Sequence, residues 1–236
     1  MKIENGYTLH ETMENGEKVA IIATGITRKT NNQKTGNMIQ IWILLANQNP
    51  IAAVQSGLDA NTICQGCPFA SGQGCYVNVS QAPLAIWKAY NKGKYPKLRP
   101  ANYEKVFSGR KVRFGAYGNP TLIPLAMVKA IASVSNGWTG YFHNWRELGQ
   151  VKAKAYNAYF MASTESATSF DLANTQGLRV FHANTKQPEN TVECLSDSHG
   201  ISCAECQLCQ GWSKRAKSVW INPHGSKVKK AIAATK

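Results

Sequence analysis

Two runs of β-branched and aliphatic residues, "KVAIIATGIT" and "NMIQIWILLA", stand early in the chain, separated by the polar, turn-rich "RKTNNQKTG". This pattern predicts a β-hairpin with a long loop. "PIAAVQSG" reads as a short strand that leads into a cysteine-rich loop. In "APLAIWKAYNKG" the apolar residues Leu84, Trp87 and Tyr90 recur at helical spacing, and Gly93 closes the run.

Farther on, the period alternates between two and 3.6. "KVRFGAYG", "GWTGYFHNW", "YFMAST", "LRVFHAN" and "KSVWINPHG" read as strands; "PLAMVKAIASVSNG", "ELGQVKAKAYNA" and "ESATSFDLANTQG" read as helices. Strand–helix alternation at this spacing implies βαβ units and a parallel sheet. Five or six such strands are too few for a closed eight-stranded barrel. The expected fold is therefore α/β: a partial (β/α) barrel or open parallel sheet, with an N-terminal β-hairpin and cysteine-rich loops. The expected division is a hairpin region over 1–50, the α/β body with both cysteine groups over 51–225, and a frayed basic tail over 226–236.

Composition adds three constraints. In 236 residues, 43% hydrophobic content against 17% charged suffices for a sizeable core without disulfides. The start, "MKIENGYTLHE", does not resemble a signal peptide, and "IQIWILLA" and "TLIPLAMV" are too short to span a bilayer. A cytoplasmic protein with no membrane partner is expected. The formal net charge is +14, from 27 basic and 13 acidic residues. Lys88, Lys92, Lys94, Lys97, Arg99, Lys105, Arg110, Lys111 and Arg113 stand against Glu104 alone, and the chain after Gln210 has basic residues and no acid. Such blocks attract phosphate, so DNA, RNA or a nucleotide is the expected partner.

The seven cysteines lie in two stretches. Cys64, Cys67 and Cys75 form C-x2-C-x7-C; Cys194, Cys203, Cys206 and Cys209 form C-x8-C-x2-C-x2-C. In a reducing compartment an odd count at these spacings argues for metal ligation over a disulfide framework. The C-x2-C-x2-C core of the second group is spaced like a ferredoxin run, and four-thiolate zinc is the alternative. Three thiolates in the first group leave a position open for a further ligand or a histidine, as a catalytic site requires. With strand ends as the usual ligand edge of parallel sheets, all seven cysteines are expected at the carboxyl edge.

A three-cysteine loop followed by a helix, and then by a strand ending in "VRFGAYGNPTLIP", resembles the radical S-adenosylmethionine enzymes. The resemblance covers roughly residues 52–225. It implies that Cys64, Cys67 and Cys75 hold a [4Fe-4S] cluster whose fourth iron chelates S-adenosylmethionine. Gly115, Gly118, Asn119 and Pro120 are similar to the family's Gly-Gly-Glu-Pro turn, with Asn119 where that turn carries its acid. "ASTES" is similar to the Ser-x-Glu of a later strand end, with Ser163 and Glu165 as cofactor contacts. Cys194, Cys203, Cys206 and Cys209 look like the ligands of an auxiliary cluster. An external electron donor is then implied. The family's usual loop is C-x3-C-x2-C, a different spacing from this one. "GCYVNVSQAPLAIWKAYNKGKYP" and "CAECQLCQG" also resemble a group of small phage-encoded proteins, implying a bacterial or phage-infected host.

His143, His182, His199 and His224 fall near predicted strand ends or cysteines, and "YFHNW" could stack on a base. Asp59 in "GLDAN" precedes the first cysteine loop. With only Asp59, Asp171 and Asp197 as aspartates, a two-carboxylate or magnesium mechanism is disfavoured. No Walker A sequence or G-x-S-x-G elbow occurs. Two other readings remain at this level: a zinc or iron–sulfur protein that binds nucleic acid without catalysis, and a zinc-stabilised enzyme acting on a nucleobase.

Overall fold

The computed structural model describes residues 2–30 and 32–234. Its strands are β1 (Gly6–Glu14), β2 (Glu17–Thr24), β3 (Met38–Leu45), β4 (Lys111–Tyr117), β5 (Trp138–Phe142), β6 (Met161–Thr164), β7 (Val180–Ala183), β8 (Thr191–Glu193) and β9 (Ser218–Ile221). Its helices are α1 (Pro50–Ser56), α2 (Leu58–Asn61), α3 (Ala82–Asn91), α4 (Tyr103–Phe107), α5 (Leu125–Val134), α6 (Gln150–Asn157), α7 (Ala167–Thr175), α8 (Leu195–Ser198), α9 (Cys203–Cys206) and α10 (Val228–Ala233).

The strands form one nine-stranded sheet in the order β1-β2-β3-β4-β5-β6-β7-β9-β8. The β1–β2 and β2–β3 pairs are antiparallel, and every pair from β3 to β8 is parallel. The sheet is open, ending at β1 and β8. The α/β class and the N-terminal hairpin agree with the sequence reading.

Four local readings need correction. β1 was not expected; it is joined to β2 by Asn15 (φ 49°) and Gly16 (φ 80°), the two positive-φ residues that an Asn-Gly hairpin turn requires. "PIAAVQSG" is the helix α1, not a strand. Asn49 caps it by accepting from the Ile51 amide at 2.8 Å, Pro50 opens it, and Gly57 closes it in the left-handed region. β8 is a further strand that the sequence pattern does not predict, immediately before Cys194. The tail is not frayed over 228–233: α10 packs Ala231 against the first cysteine loop, where a Cβ on Gly74 would stand 2.7 Å from the Ala231 Cα.

Alternation along the parallel strands divides the sheet into two faces. Val112 and Phe114, Phe142, Ala162 and Val180 are buried in the main core with Phe107, Val128, Ile131, Ala153, Phe170 and Ala173 of helices α4–α7. The residues between them (Arg113, Tyr141, Ser163, Phe181) line a cavity on the opposite face. Small aromatic and aliphatic side chains at period two thus build a hydrophobic core on one side and leave the other free for chemistry.

Candidate metal and cofactor site

The cavity has a volume of about 450 Å³, within the range of about 300–1,000 Å³ usual for small-molecule sites. Its upper wall is the first cysteine loop. Cys64, Cys67 and Cys75 all line it. Backbone bonds fold the loop tightly: the Cys67 amide donates to the Cys64 carbonyl (3.2 Å) and the Cys75 amide to the Phe69 carbonyl (2.9 Å). The loop is fastened to the carboxyl ends of β4 and β5. The Asn119 amide donates to the Ile63 carbonyl (2.7 Å), and Gln65 Oε1 accepts from Thr121 Oγ1 and Asn144 Nδ2, each at 3.0 Å.

Asp59 holds the loop from beneath. It is 2% exposed and accepts from the Ser71 hydroxyl (2.8 Å), the Tyr117 hydroxyl (3.0 Å) and the Ala60 amide (2.8 Å), with the Cys64 thiol 3.9 Å from Oδ2. Burial pushes the Cys64 thiol well up, and Asp59 and the neighbouring Cys67 and Cys75 add to the effect. Burial likewise pushes Cys67 up to about 12, with smaller contributions from Cys75 and Glu165. As thiolates, three sulfurs crowded this way repel one another, and a bound cation would offset that repulsion.

β4 ends in the glycine turn. Its register against β3 slips so that Ile41 pairs with Phe114 and Trp42 with Tyr117, leaving a bulge at Gly115 and Ala116. The bulge turns residues 115–119 toward the cavity. Gly115 (φ 70°) lies against Pro120, and Gly118 (φ 82°) against Ile43. Asn119 is buried; its Oδ1 accepts from the Thr121 amide, while its Nδ2 has no hydrogen-bond partner among the described residues. His143, also in the wall, keeps its Nδ1 unpartnered, and burial holds its pKa down to about 4, so the ring is neutral at neutral pH. These two polar atoms are buried without a partner among the described residues and carry a desolvation cost.

The other resemblance-derived positions separate. Ser163 lines the cavity; Glu165 does not, and pairs instead with Arg146 at 3.1 Å. Pro120 is buried against Gly115, outside the wall. His182 faces the helices, with Nδ1 2.8 Å from Thr164 Oγ1 and its ring against Phe170.

The second cysteine group is divided: Cys194 follows the carboxyl end of β8, as expected, while Cys203, Cys206 and Cys209 do not share that edge. The segment over 203–209 runs past the amino ends of β3, β4 and β5: the Cys203 and Ala204 amides donate to Lys34 and Thr35, Lys111 Nζ reaches the Ala204 carbonyl (2.6 Å), and the Gly140 amide donates to Cys209 (3.2 Å). Cys194, fixed by its amide to the Trp220 carbonyl (2.8 Å), and Cys203 line the cavity; Cys206 and Cys209 lie outside its wall. The reason is topological. β8 carries the chain to the far edge, and the cysteine segment must return across the open face before β9 can enter between β7 and β8. Cys203 therefore reaches the cavity from the amino side of β3 and β4, while the first loop and Cys194 reach it from the carboxyl side. Sequence reasoning overlooked Arg113 and Tyr76 in this cavity; the bulge and the inward strand face that place them have no local sequence signal.

Among the described residues no three His, Cys, Asp or Glu side chains are gathered as a single metal ion requires. A four-iron cluster differs in that each thiolate binds its own iron, so the sulfurs stand farther apart than the ligands of one zinc. The first loop places three thiols, the number such a donor set needs, on one cavity wall. No protein-family model, curated protein or solved structure matches the chain.

Proposed function

We propose that the protein is an iron–sulfur enzyme of the radical S-adenosylmethionine type, built on a partial barrel, that acts on a nucleotide or nucleic acid. The observation carrying this reading is that Cys64, Cys67 and Cys75 share one cavity wall with the Gly115–Gly118–Asn119 turn at the carboxyl end of β4. A [4Fe-4S] cluster held by these three thiolates would supply reductive cleavage of S-adenosylmethionine, giving methionine and 5′-deoxyadenosine at the expense of one electron from an external donor and one hydrogen atom from the substrate. The chain's own part is positional. Gly115 and Gly118 supply the left-handed backbone and the close packing on Pro120 and Ile43 that hold the turn at the cavity edge. Asn119, at the position of the resemblance's acid, has no charge with which to accept from an ammonium group. Cys194, Cys203, Cys206 and Cys209 are assigned to an auxiliary cluster.

Protein purified without oxygen should be brown and contain iron and acid-labile sulfide. With dithionite and S-adenosylmethionine it should release 5′-deoxyadenosine. A colourless protein with stoichiometric zinc would sink this reading and favour a zinc protein that binds nucleic acid through its basic surface.

A further inference from the structure

Two arginines are buried in the sheet. Arg179, 1% exposed, is satisfied by backbone: its Nε and Nη2 donate to the Lys217 carbonyl (3.2 and 2.8 Å) and its Nη1 to the Gly211 carbonyl (2.7 Å). Arg113, 6% exposed, is not. Its Nη2 meets the Tyr76 hydroxyl, and its guanidinium carbon sits 5.5 Å from the Tyr141 ring centroid. Among the described residues no carboxylate pairs with it and no carbonyl accepts from it. A guanidinium withdrawn from water without a carboxylate costs several kcal/mol; thiolates at the nearby Cys203 and Cys209 would offset part of this, and in a cavity wall the remainder is where a further anion gains affinity. Its planar fork suits a two-oxygen contact with phosphate or carboxylate.

The surroundings narrow the class. Lys34 and Lys227 are the other cations of the cavity wall, and Asp59 is its only carboxylate among the described residues. The wall is also aromatic. Tyr141 packs on Phe181 with ring centroids 4.3 Å apart, and both line the cavity. Tyr76 lines the same cavity, is 69% exposed, and meets Arg113 through its hydroxyl. An exposed aromatic ring with a cation at its hydroxyl is a platform for a planar base attached to an anion.

We propose that Arg113 binds the phosphate of a nucleoside monophosphate whose base lies against Tyr76. This deepens the function proposed above by naming the substrate class. It rests on that reading's cavity and not on its cluster chemistry.

Binding of the four common nucleoside 5′-monophosphates and the corresponding nucleosides should be measured calorimetrically on anaerobically purified protein, with S-adenosylmethionine as a separate ligand. At least one monophosphate should bind tenfold or more tightly than its nucleoside. Arg113→Gln should abolish that difference. Arg113→Lys, which keeps the charge, should retain part of it, and Tyr76→Phe should weaken the monophosphate severalfold. Should Arg113→Gln fail to fold, the lysine and phenylalanine variants carry the test. Equal binding of monophosphate and nucleoside, or an unchanged preference in the Arg113 variants, overturns the assignment. So does a loss confined to S-adenosylmethionine, which would give the guanidinium to that cofactor's carboxylate. So does a shifted cluster spectrum with unaltered ligand binding, which would make Arg113 the counter-ion of the second thiol group. Failure to release 5′-deoxyadenosine leaves these binding results standing, so the two proposals fail separately.

Discussion

The hydroxyl of Tyr117 donates to Asp59 Oδ2 at 3.0 Å, tying the last residue of β4 to the segment that opens the first cysteine loop. Both residues are buried, and burial, with Cys64 and Asp59 adding to it, pushes the Tyr117 phenol far above its ordinary pKa. The phenol therefore stays a donor. Tyr117→Phe should cost about 1–2 kcal/mol by removing a hydrogen bond to a charged acceptor. Asp59→Ala should cost more, about 2–4 kcal/mol, since the Ser71 and Tyr117 hydroxyls would both lose their acceptor. Chemical denaturation at neutral pH tests the order. Equal losses in the two variants would show that Asp59 is not the shared anchor.

The glycine turn makes a sharper contrast. A Cβ on Gly118 would lie 2.7 Å from Ile43 Cβ and 2.8 Å from its carbonyl oxygen, on top of the strain of φ 82°. At Gly109 φ is 71° and nothing lies within 4 Å. Gly109→Ala should therefore cost only the backbone term, about 1–2 kcal/mol. Gly118→Ala should exceed it by about 2 kcal/mol or more, because strand β3 has to move. Thermal unfolding of the two variants side by side checks this.

How far the sequence could be read depends on where each signal resides. Strands β2, β3 and β4–β7, and helices α3 and α5–α7, have apolar periodicity of their own, and their packing on one core follows from it. β1 is an edge strand in which Tyr7, Leu9 and their neighbours are diluted by His10, Glu11, Thr12 and Glu14; its clearest mark is the Asn15–Gly16 turn, overlooked because the flanks are polar. For α1, the cap, the proline and the terminal glycine were all present, but a short apolar run does not separate strand from helix by period. The basic stretch from Lys88 to Arg113 looked like one surface. In the fold Arg110 donates to the Gly25 and Ile26 carbonyls, Lys111 to Ala204 and Arg113 enters the cavity, so its last three cations face inward. Glu165 has the spacing of a ligand, yet Arg146, nineteen residues earlier, claims it. Such pairings depend on chain crossings that no local pattern encodes.

The two cysteine groups should respond separately to mutation. Cys75 is in the wall of the main cavity, and its loop is braced by Asp59 and α10. Cys206 sits at the end of α9, outside that wall. Cys75→Ala should lose about half of the bound iron and all 5′-deoxyadenosine release, with little change in melting temperature. Cys206→Ala should mainly lower stability, because the segment it belongs to holds the β2–β3 loop through Lys34 and Thr35. Iron analysis and calorimetry on both variants separate the roles. Loss of all iron in either variant would mean a single shared site.

Glu11 supplies a pH test remote from both thiol groups. Its carboxylate lies 2.6 Å from Lys18 Nζ and 3.1 Å from Lys97 Nζ, and it accepts from the Tyr90 hydroxyl. These contacts, Lys18 foremost and Tyr90 next, lower its pKa from 4.5 to about 2. Because the folded value is depressed, the stabilisation is complete above the unfolded value near 4.5 and disappears as pH falls toward 2. The side chain is 21% exposed at the sheet surface, where solvent and salt screen the pair, so its worth is about 1 kcal/mol rather than the full linkage of the shift. Glu11→Gln should lower stability by that amount at pH 7, and the gap between variant and wild type should close between pH 4.5 and 2. It should also shrink in 1 M salt. A gap that persists unchanged at pH 2 would assign the effect of Glu11 to packing of its side chain against Tyr90 instead of to its charge.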